Sequence, residues 1–180
     1  MILASASPRR QAILEQLGVE FRVEPPDVVE IESGEPREVV VENALRKARD
    51  RARPGERVLG ADTAVVLGKR IFGKPADRAE AEAFLRALSG GTHEVMTGIA
   101  VVEDEAERTD VAVTLVRFRS LAEADVEWHL DSGDWEGHAG GYAIQKRGAA
   151  LVESIEGDYW NVVGLPVPAL LRLVPDLLRG

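Results

Sequence analysis

Apolar and polar positions alternate along this chain with two different periods. Met1 to Ala4 is a short apolar run that reads as a strand. Ser7 sits where a helix cap belongs, with Pro8 at the first helical position, where its missing N–H costs nothing. Ile13, Leu14 and Leu17 form one stripe of that helix, and Gly18 ends it. Phe21 to Val23 reads as extended, and the proline-rich, acidic stretch from Glu24 to Glu38 as a loop. Val39 to Ala52 predicts a charged helix. Val58 to Leu67 is almost unbroken apolar sequence, as expected of a strand buried on both faces. Gly68-Lys69 then turns the chain toward Ile71 and Phe72. Asp77 predicts the cap of a helix with Ala81, Phe84, Leu85 and Leu88 on one face, stopped by Ser89-Gly90-Gly91. Val95 to Val102 and Val111 to Phe118 read as paired strands. Leu121 to Leu130 reads as helix, Gly140 to Ile144 as a glycine-rich segment and Ala149 to Ile155 as a strand. Leu165 to Leu178 reads as a closing helix with Pro166 near its start. No repeat or low-complexity linker breaks this order. It predicts a single domain over residues 1–180, an α/β fold with a mixed twisted sheet flanked by helices.

Composition narrows the function. The chain has 180 residues, 45% of them hydrophobic, enough for a real core. Its formal net charge of −9 argues against a nucleic-acid surface, which needs a basic face to displace counterions. A small anion in one local basic pocket is still allowed. The absence of cysteine excludes disulfides, thiolate catalysis and thiolate metal sites. No apolar run approaches the roughly 20 residues of a membrane span. The apolar start stops at Ala4, unlike a signal peptide. The expectation is a soluble cytoplasmic protein with neither nucleic-acid nor membrane partners.

Three segments carry candidate chemistry. In LASASPRR, Leu3 to Arg10, a strand feeds a helix whose first turn presents free N–H groups. Ser5 and Ser7 add hydroxyls, and Arg9 and Arg10 add forked cationic donors suited to phosphate oxygens. The alternative is an ordinary capped helix with two solvated arginines. Gly68 to Lys74 fits the spacing of a nucleotide-binding phosphate loop, but Pro75 stands where a metal-holding hydroxyl belongs, so that reading is rejected. Lys74 stays of interest as a cation at the end of a hairpin. Asp62 lies in VLGADTAVVL, where a carboxylate is costly unless bonded, paired or bound to a metal. It reads either as a satisfied structural residue or as a metal ligand or general base, with the acids of Asp27 to Glu32 as candidate partners. Lys47, in NALRKAR, reads by itself as solvated. His93, His129 and His138 lack zinc-ligand spacing, and no G-x-S-x-G elbow is present.

SASPRR, GADT (Gly60 to Thr63), GKP (Gly73 to Pro75), LSGGTHEVMT (Leu88 to Thr97), AGGYAIQ (Ala139 to Gln145) and IEGDYWNVVGLP (Ile155 to Pro166) occur in that order. Together they resemble the Maf family of nucleoside triphosphate pyrophosphatases, over nearly the whole chain. The resemblance implies a fold similar to the inosine triphosphatase group, with two lobes around a central cleft. It implies hydrolysis of a nucleoside triphosphate between the α and β phosphates, dependent on a divalent cation such as Mg²⁺ or Mn²⁺. It assigns Asp62 as proton acceptor and metal carboxylate, with Glu30 as a second acid. Ser5, Arg10, Lys47 and Lys74 fall on triphosphate-holding positions. Arg10, Thr63 and Gln145 match the positions that accompany dTTP and UTP as substrates. Methylated or noncanonical purine triphosphates are the alternative substrates, and a nucleotide-sensing division regulator the alternative role. The family also implies a homodimer and a link to cell division. One departure stands out: Gly137-His138 replaces the usual Asp-Lys, which is expected to make a pocket charge titrate near neutrality.

Overall fold

The computed structural model describes residues 1–179. Their architecture is a seven-stranded mixed sheet with helices on both faces. β1 (Ile2–Ala4) lies between β2 (Arg22–Val23) and β3 (Arg57–Leu67), parallel to both. From β3 the sheet continues antiparallel through β5 (Thr92–Glu103), β6 (Ala106–Phe118) and β7 (Val152–Glu156). β4 (Arg70–Phe72) folds back on the far end of β3 through Gly68-Lys69, with Gly68 at φ +64°.

The period of two along β3 separates two cores. Leu59, Ala61 and Val65 enter the larger one, built with α1 (Pro8–Gln16), α3 (Arg78–Leu88), α4 (Glu123–Asp131), α5 (Tyr159–Val163) and α6 (Val167–Leu173). Val58, Ala64 and Val66 face the opposite way, under α2 (Pro36–Asp50). Part of the α2 side is built from small residues, Ala44 and Ala48 on the helix with Ala4 and Ala100 on the sheet. Two glycines bring the helix closer still. A Cβ on Gly60 would lie 2.1 Å from the Ala44 carbonyl oxygen, and one on Gly98 2.3 Å from that of Val40. No residue larger than glycine fits at either point, so the α2 backbone rests directly on the sheet.

Most predicted elements form, with informative shifts at their ends. α3 is capped as read, Asp77 Oδ1 accepting from the Glu80 N–H at 2.8 Å. Ser7 occupies the cap position of α1, but its hydroxyl makes no capping bond; its own N–H donates to Ser5 Oγ at 3.2 Å. α2 starts at Pro36, three residues before its first apolar position, because proline is pre-set for the first turn. β6 begins at Ala106, five residues before its apolar run. Its polar half is held by backbone pairing with β5, which side-chain pattern does not report. Residues 147–151 form a 3-10 turn before β7 rather than its first half. The closing helix is shorter than read. It stops at Leu173, with Val174 extended (φ −132°, ψ 76°), as expected of the residue before Pro175. α5, a separate short helix, precedes it. Among the described residues no helix is long and apolar enough to cross a membrane.

Candidate active site

β1 and β4 lie on the same edge of β3, because β5 occupies the other. β1 pairs with Val58 to Gly60 and β4 with Val65 to Leu67. The edge between them, Ala61 to Ala64, is open. Ser5 follows the end of β1 and Gly73-Lys74 follows the end of β4, so both exits arrive opposite Asp62 and Thr63. This gap in the sheet edge is why motifs far apart in the chain meet. A cleft of about 380 Å³ opens there, and the residues singled out above for catalysis, substrate or metal line it, except that of the acids between Asp27 and Glu32 only Glu30 does.

Asp62 points to the α2 face. Its Oδ1 accepts from Lys47 Nζ at 2.7 Å and its Oδ2 from Asn43 Nδ2 at 3.1 Å. Asn43 and Lys47 are one turn apart on α2, so a single helical stripe reaches both oxygens. Lys47 also pairs with Glu30 Oε1 at 2.7 Å, so one ammonium bridges two carboxylates. Lys47 is buried, with 6% exposed, and is not the solvated residue that NALRKAR suggested. Partial burial pushes the Glu30 carboxyl up. The hydrogen bond and charge of Lys47, with Lys74 and Arg10 behind them, overcome this and hold it below its ordinary value.

Thr63 points to the other face. Arg10 Nη2 donates to Thr63 Oγ1 at 3.1 Å, Arg10 Nη1 to Ser5 Oγ at 2.9 Å, and Arg10 Nε to the Gly164 carbonyl at 2.8 Å. Arg9 Nε donates to the Val163 carbonyl at 3.2 Å. Neither arginine is merely solvated: Arg10 ties α1 to the end of α5 and keeps part of its fork for the cleft. Burial lowers its guanidinium to about 10, with Arg9 lowering and Asp62 and Glu30 raising it, so it stays protonated at neutral pH. Thr63 also contacts Thr97 Oγ1 at 2.9 Å, and Thr97 Oγ1 donates to the Asn161 carbonyl at 3.2 Å. Thr97 has one hydroxyl proton and spends it on that carbonyl. Thr63 therefore donates to Thr97, and the chain runs one way, from Arg10 through Thr63 and Thr97 into the core. Thr63 thus keeps only a lone pair for the cleft. Asn161, fully buried, is pinned by its Nδ2 to the Val95 carbonyl at 2.9 Å and to Thr114 Oγ1 at 3.0 Å.

The remaining lining is looser. Lys74 and Gln145 are exposed and, among the described residues, have no side-chain partner. His138 is buried at the cleft. Burial first, then Arg9 and Lys146, lowers its imidazole to about 4, so the ring is neutral at pH 7 and the expected titration near neutrality is absent. The segment carrying His138 and Gln145 is anchored from below by Tyr142, whose hydroxyl meets His93 Nε2 at 2.7 Å. Among the described residues no three His, Asp or Glu side chains cluster as a metal site. Asn43, Thr97 and Asn161 were not singled out from the sequence. Only Asn43 carried a usable signal, its position four residues before Lys47.

The Maf-like protein family matches residues 1–177. A dTTP/UTP pyrophosphatase of Symbiobacterium thermophilum is 47% identical over 178 residues, covering 97% of this chain and 92% of its own. Proteins of the same name are 43% identical in Pyrococcus furiosus, covering 97% and 93%, and 45% identical in Deinococcus radiodurans, covering 100% and 92%. Among solved structures, the Staphylococcus aureus Ham1 protein superposes with a TM-score of 0.48 at 16% identity, over 65% of this chain and 70% of that one. A match spanning nearly every residue, with relatives this similar along almost their full length, places the chain in the Maf family.

Proposed function

We propose that this chain, acting as one domain, hydrolyses dTTP and UTP to the nucleoside monophosphate and pyrophosphate. The observation that carries the reading is the gap in the β3 edge. It gathers two carboxylates, Asp62 and Glu30, with four cationic side chains, Arg9, Arg10, Lys47 and Lys74, in one cleft. A triphosphate needs that density of positive charge, and hydrolysis needs a carboxylate beside it. The names of the relatives supply the nucleotides.

In the reaction, Asp62 orients a water molecule and accepts its proton as the water oxygen attacks the α-phosphorus. The bond from that phosphorus to the α–β bridging oxygen breaks, and its electron pair leaves with pyrophosphate. Arg10, Lys47 and Lys74 neutralise the leaving group, and Ser5 and the first N–H groups of α1 add donors. Thr63 and Gln145 face the base. A site that offers fixed polar partners rejects a base that leaves them unpaired.

The residues fit a hard divalent cation. Asp62 and Glu30 offer only oxygen ligands, and both lie against one ammonium, so they are close neighbours. Two carboxylates with substrate phosphate oxygens are a usual set for Mg²⁺. When bound, such an ion supplies charge neutralisation at the phosphates and polarises the water.

The test is a panel of canonical and modified nucleoside triphosphates with Mg²⁺, assaying pyrophosphate and orthophosphate separately. Pyrophosphate with UMP and dTMP as the best products supports the reading. Pyrophosphate mainly from purines overturns the specificity, and orthophosphate alone, or binding without turnover, overturns the reaction.

A further inference from the structure

We propose that Asn43 is the positioning residue of the cation site, holding Asp62 and Glu30 in the mutual arrangement a divalent ion requires. The proposal rests on the nucleotide-hydrolysing reading above.

Asn43 is 2% exposed and touches both acidic segments. The Ile31 N–H donates to Asn43 Oδ1 at 2.7 Å, and Asn43 Nδ2 donates to the Ile31 carbonyl at 2.9 Å and to Asp62 Oδ2 at 3.1 Å. The amide orientation is dictated by chemistry: an N–H can only donate, so the oxygen faces Ile31 N. Both amide protons are then spent, one on the Ile31 backbone and one on the carboxylate. The pairing with Ile31 imitates one rung of a β-ladder and fixes the residue next to Glu30.

Glu30 needs that support. Residues 24–34 have no helix or strand, and Val29 is 86% exposed, so packing does not seat this part of the loop. Its other ties to this helix lie nearer the loop's start, where the Asp27 N–H donates to Asp50 Oδ2 at 3.0 Å and Arg51 Nε to the Pro25 carbonyl at 3.0 Å. Lys47 attracts Glu30 but, as a flexible point charge, does not set its direction. A planar carboxamide supplies both polarities at once. Aspartate would lose the two donor bonds, and a leucine of similar size all three. The glycines at 60 and 98 complete the device, because they let α2 come close enough for a side chain this short to reach Asp62.

The test uses Asn43→Ala and measures Mn²⁺ rather than turnover alone. Mn²⁺ is titrated into protein saturated with the α,β-imido analogue of UTP, and free Mn²⁺ is counted by electron paramagnetic resonance. The expected result is Mn²⁺ binding weakened about 10- to 100-fold, the range for partners that orient metal ligands. kcat falls with it while KM for the nucleotide changes less than about threefold. Val40→Ala, a core change on the same helix away from both carboxylates, controls for lost stability and leaves Mn²⁺ affinity unaltered. Wild-type Mn²⁺ affinity in a folded Asn43→Ala protein would overturn the proposal while leaving the nucleotide reading intact. Failure of the wild type to bind Mn²⁺ with the analogue would overturn both. Should Asn43→Ala not fold, the Asn43 side-chain amide signal of the wild type is followed by NMR as Mg²⁺ enters the analogue complex. A shift supports the proposal, and an unmoved signal overturns it.

Discussion

Asp62 and Thr63 are consecutive residues on one strand, yet they serve different environments. The α2 face holds Asp62 among charges: a buried lysine, a second carboxylate and a carboxamide. The core face holds Thr63 in a directed chain of hydrogen bonds that ends on a backbone carbonyl. The period of two in a strand is what divides them. Because the β3 edge is open at this point, both faces serve the same cleft. Under the proposed reading the difference is a division of labour: the proton acceptor and cation ligands lie on one side, and on the other, beside Arg10, lies the fixed donor and acceptor polarity that faces the base.

Substitutions can break this comparison at several strengths. The largest effect belongs to Asp62→Asn. It removes the proposed proton acceptor and one proposed cation ligand, and pyrophosphate release from UTP is expected to fall by about 10³-fold or more with circular dichroism unchanged. A wild-type rate would remove Asp62 from the reaction. Lys47→Met comes next. It leaves Asp62 and Glu30 as neighbouring carboxylates without their shared cation, and kcat is expected to fall roughly 10²-fold in a steady-state assay. On the Thr63 side the effects are smaller and of another kind. Gln145→Ala and Thr97→Val each leave kcat for UTP within a few-fold. They reduce the preference for UTP over CTP by about tenfold or less, read from ratios of kcat/KM. Thr97→Val acts by removing the acceptor of the Thr63 proton, which is then free to swing into the cleft. An unchanged base ranking in both variants would sink the division of labour.

The final prediction concerns stability rather than rate. His93, beneath the wall that carries Gln145, is lowered to about 4 by burial, and His138 to about 4 by burial together with Arg9 and Lys146. In the unfolded chain both take up a proton near their ordinary value of about 6.5. Between those values the unfolded state binds more protons, so stability rises with pH. The thermal midpoint is expected to drop as pH falls from about 6.5 toward 4 and to lose part of that slope in His93→Gln. An identical slope in the variant would exclude His93 as a source.

Legibility in the sequence followed physical range. Local signals were read well: the apolar run of β3, the Asp77 cap of α3, the turn at Gly68 and the glycine stop after Leu88 each depend on a few neighbouring residues. Elements without a side-chain signature were not, such as the polar half of β6, which exists through its pairing with β5. Lys47 looked solvated, because nothing in NALRKAR announces that Gly60 and Gly98, far along the chain, let α2 settle onto the sheet. His138 looked titratable near neutrality, because its burial and the nearby Arg9 and Lys146 are facts of space rather than of spacing.

By itself, then, the sequence determined the alternation of elements, the two-faced character of β3 and the order of motifs that places the chain in its family. Periodicity and local chemistry act along the chain and can be read there. The tertiary structure alone decided where β1 and β4 stop along one edge of β3. It also decided that Lys47 bridges two acids, that Asn43 ties Asp62 to the Ile31 backbone beside Glu30, and that the proton of Thr63 points away from the cleft. Those outcomes depend on how closely backbones approach and on which lone pairs are already spent. Both are settled only when distant segments have packed.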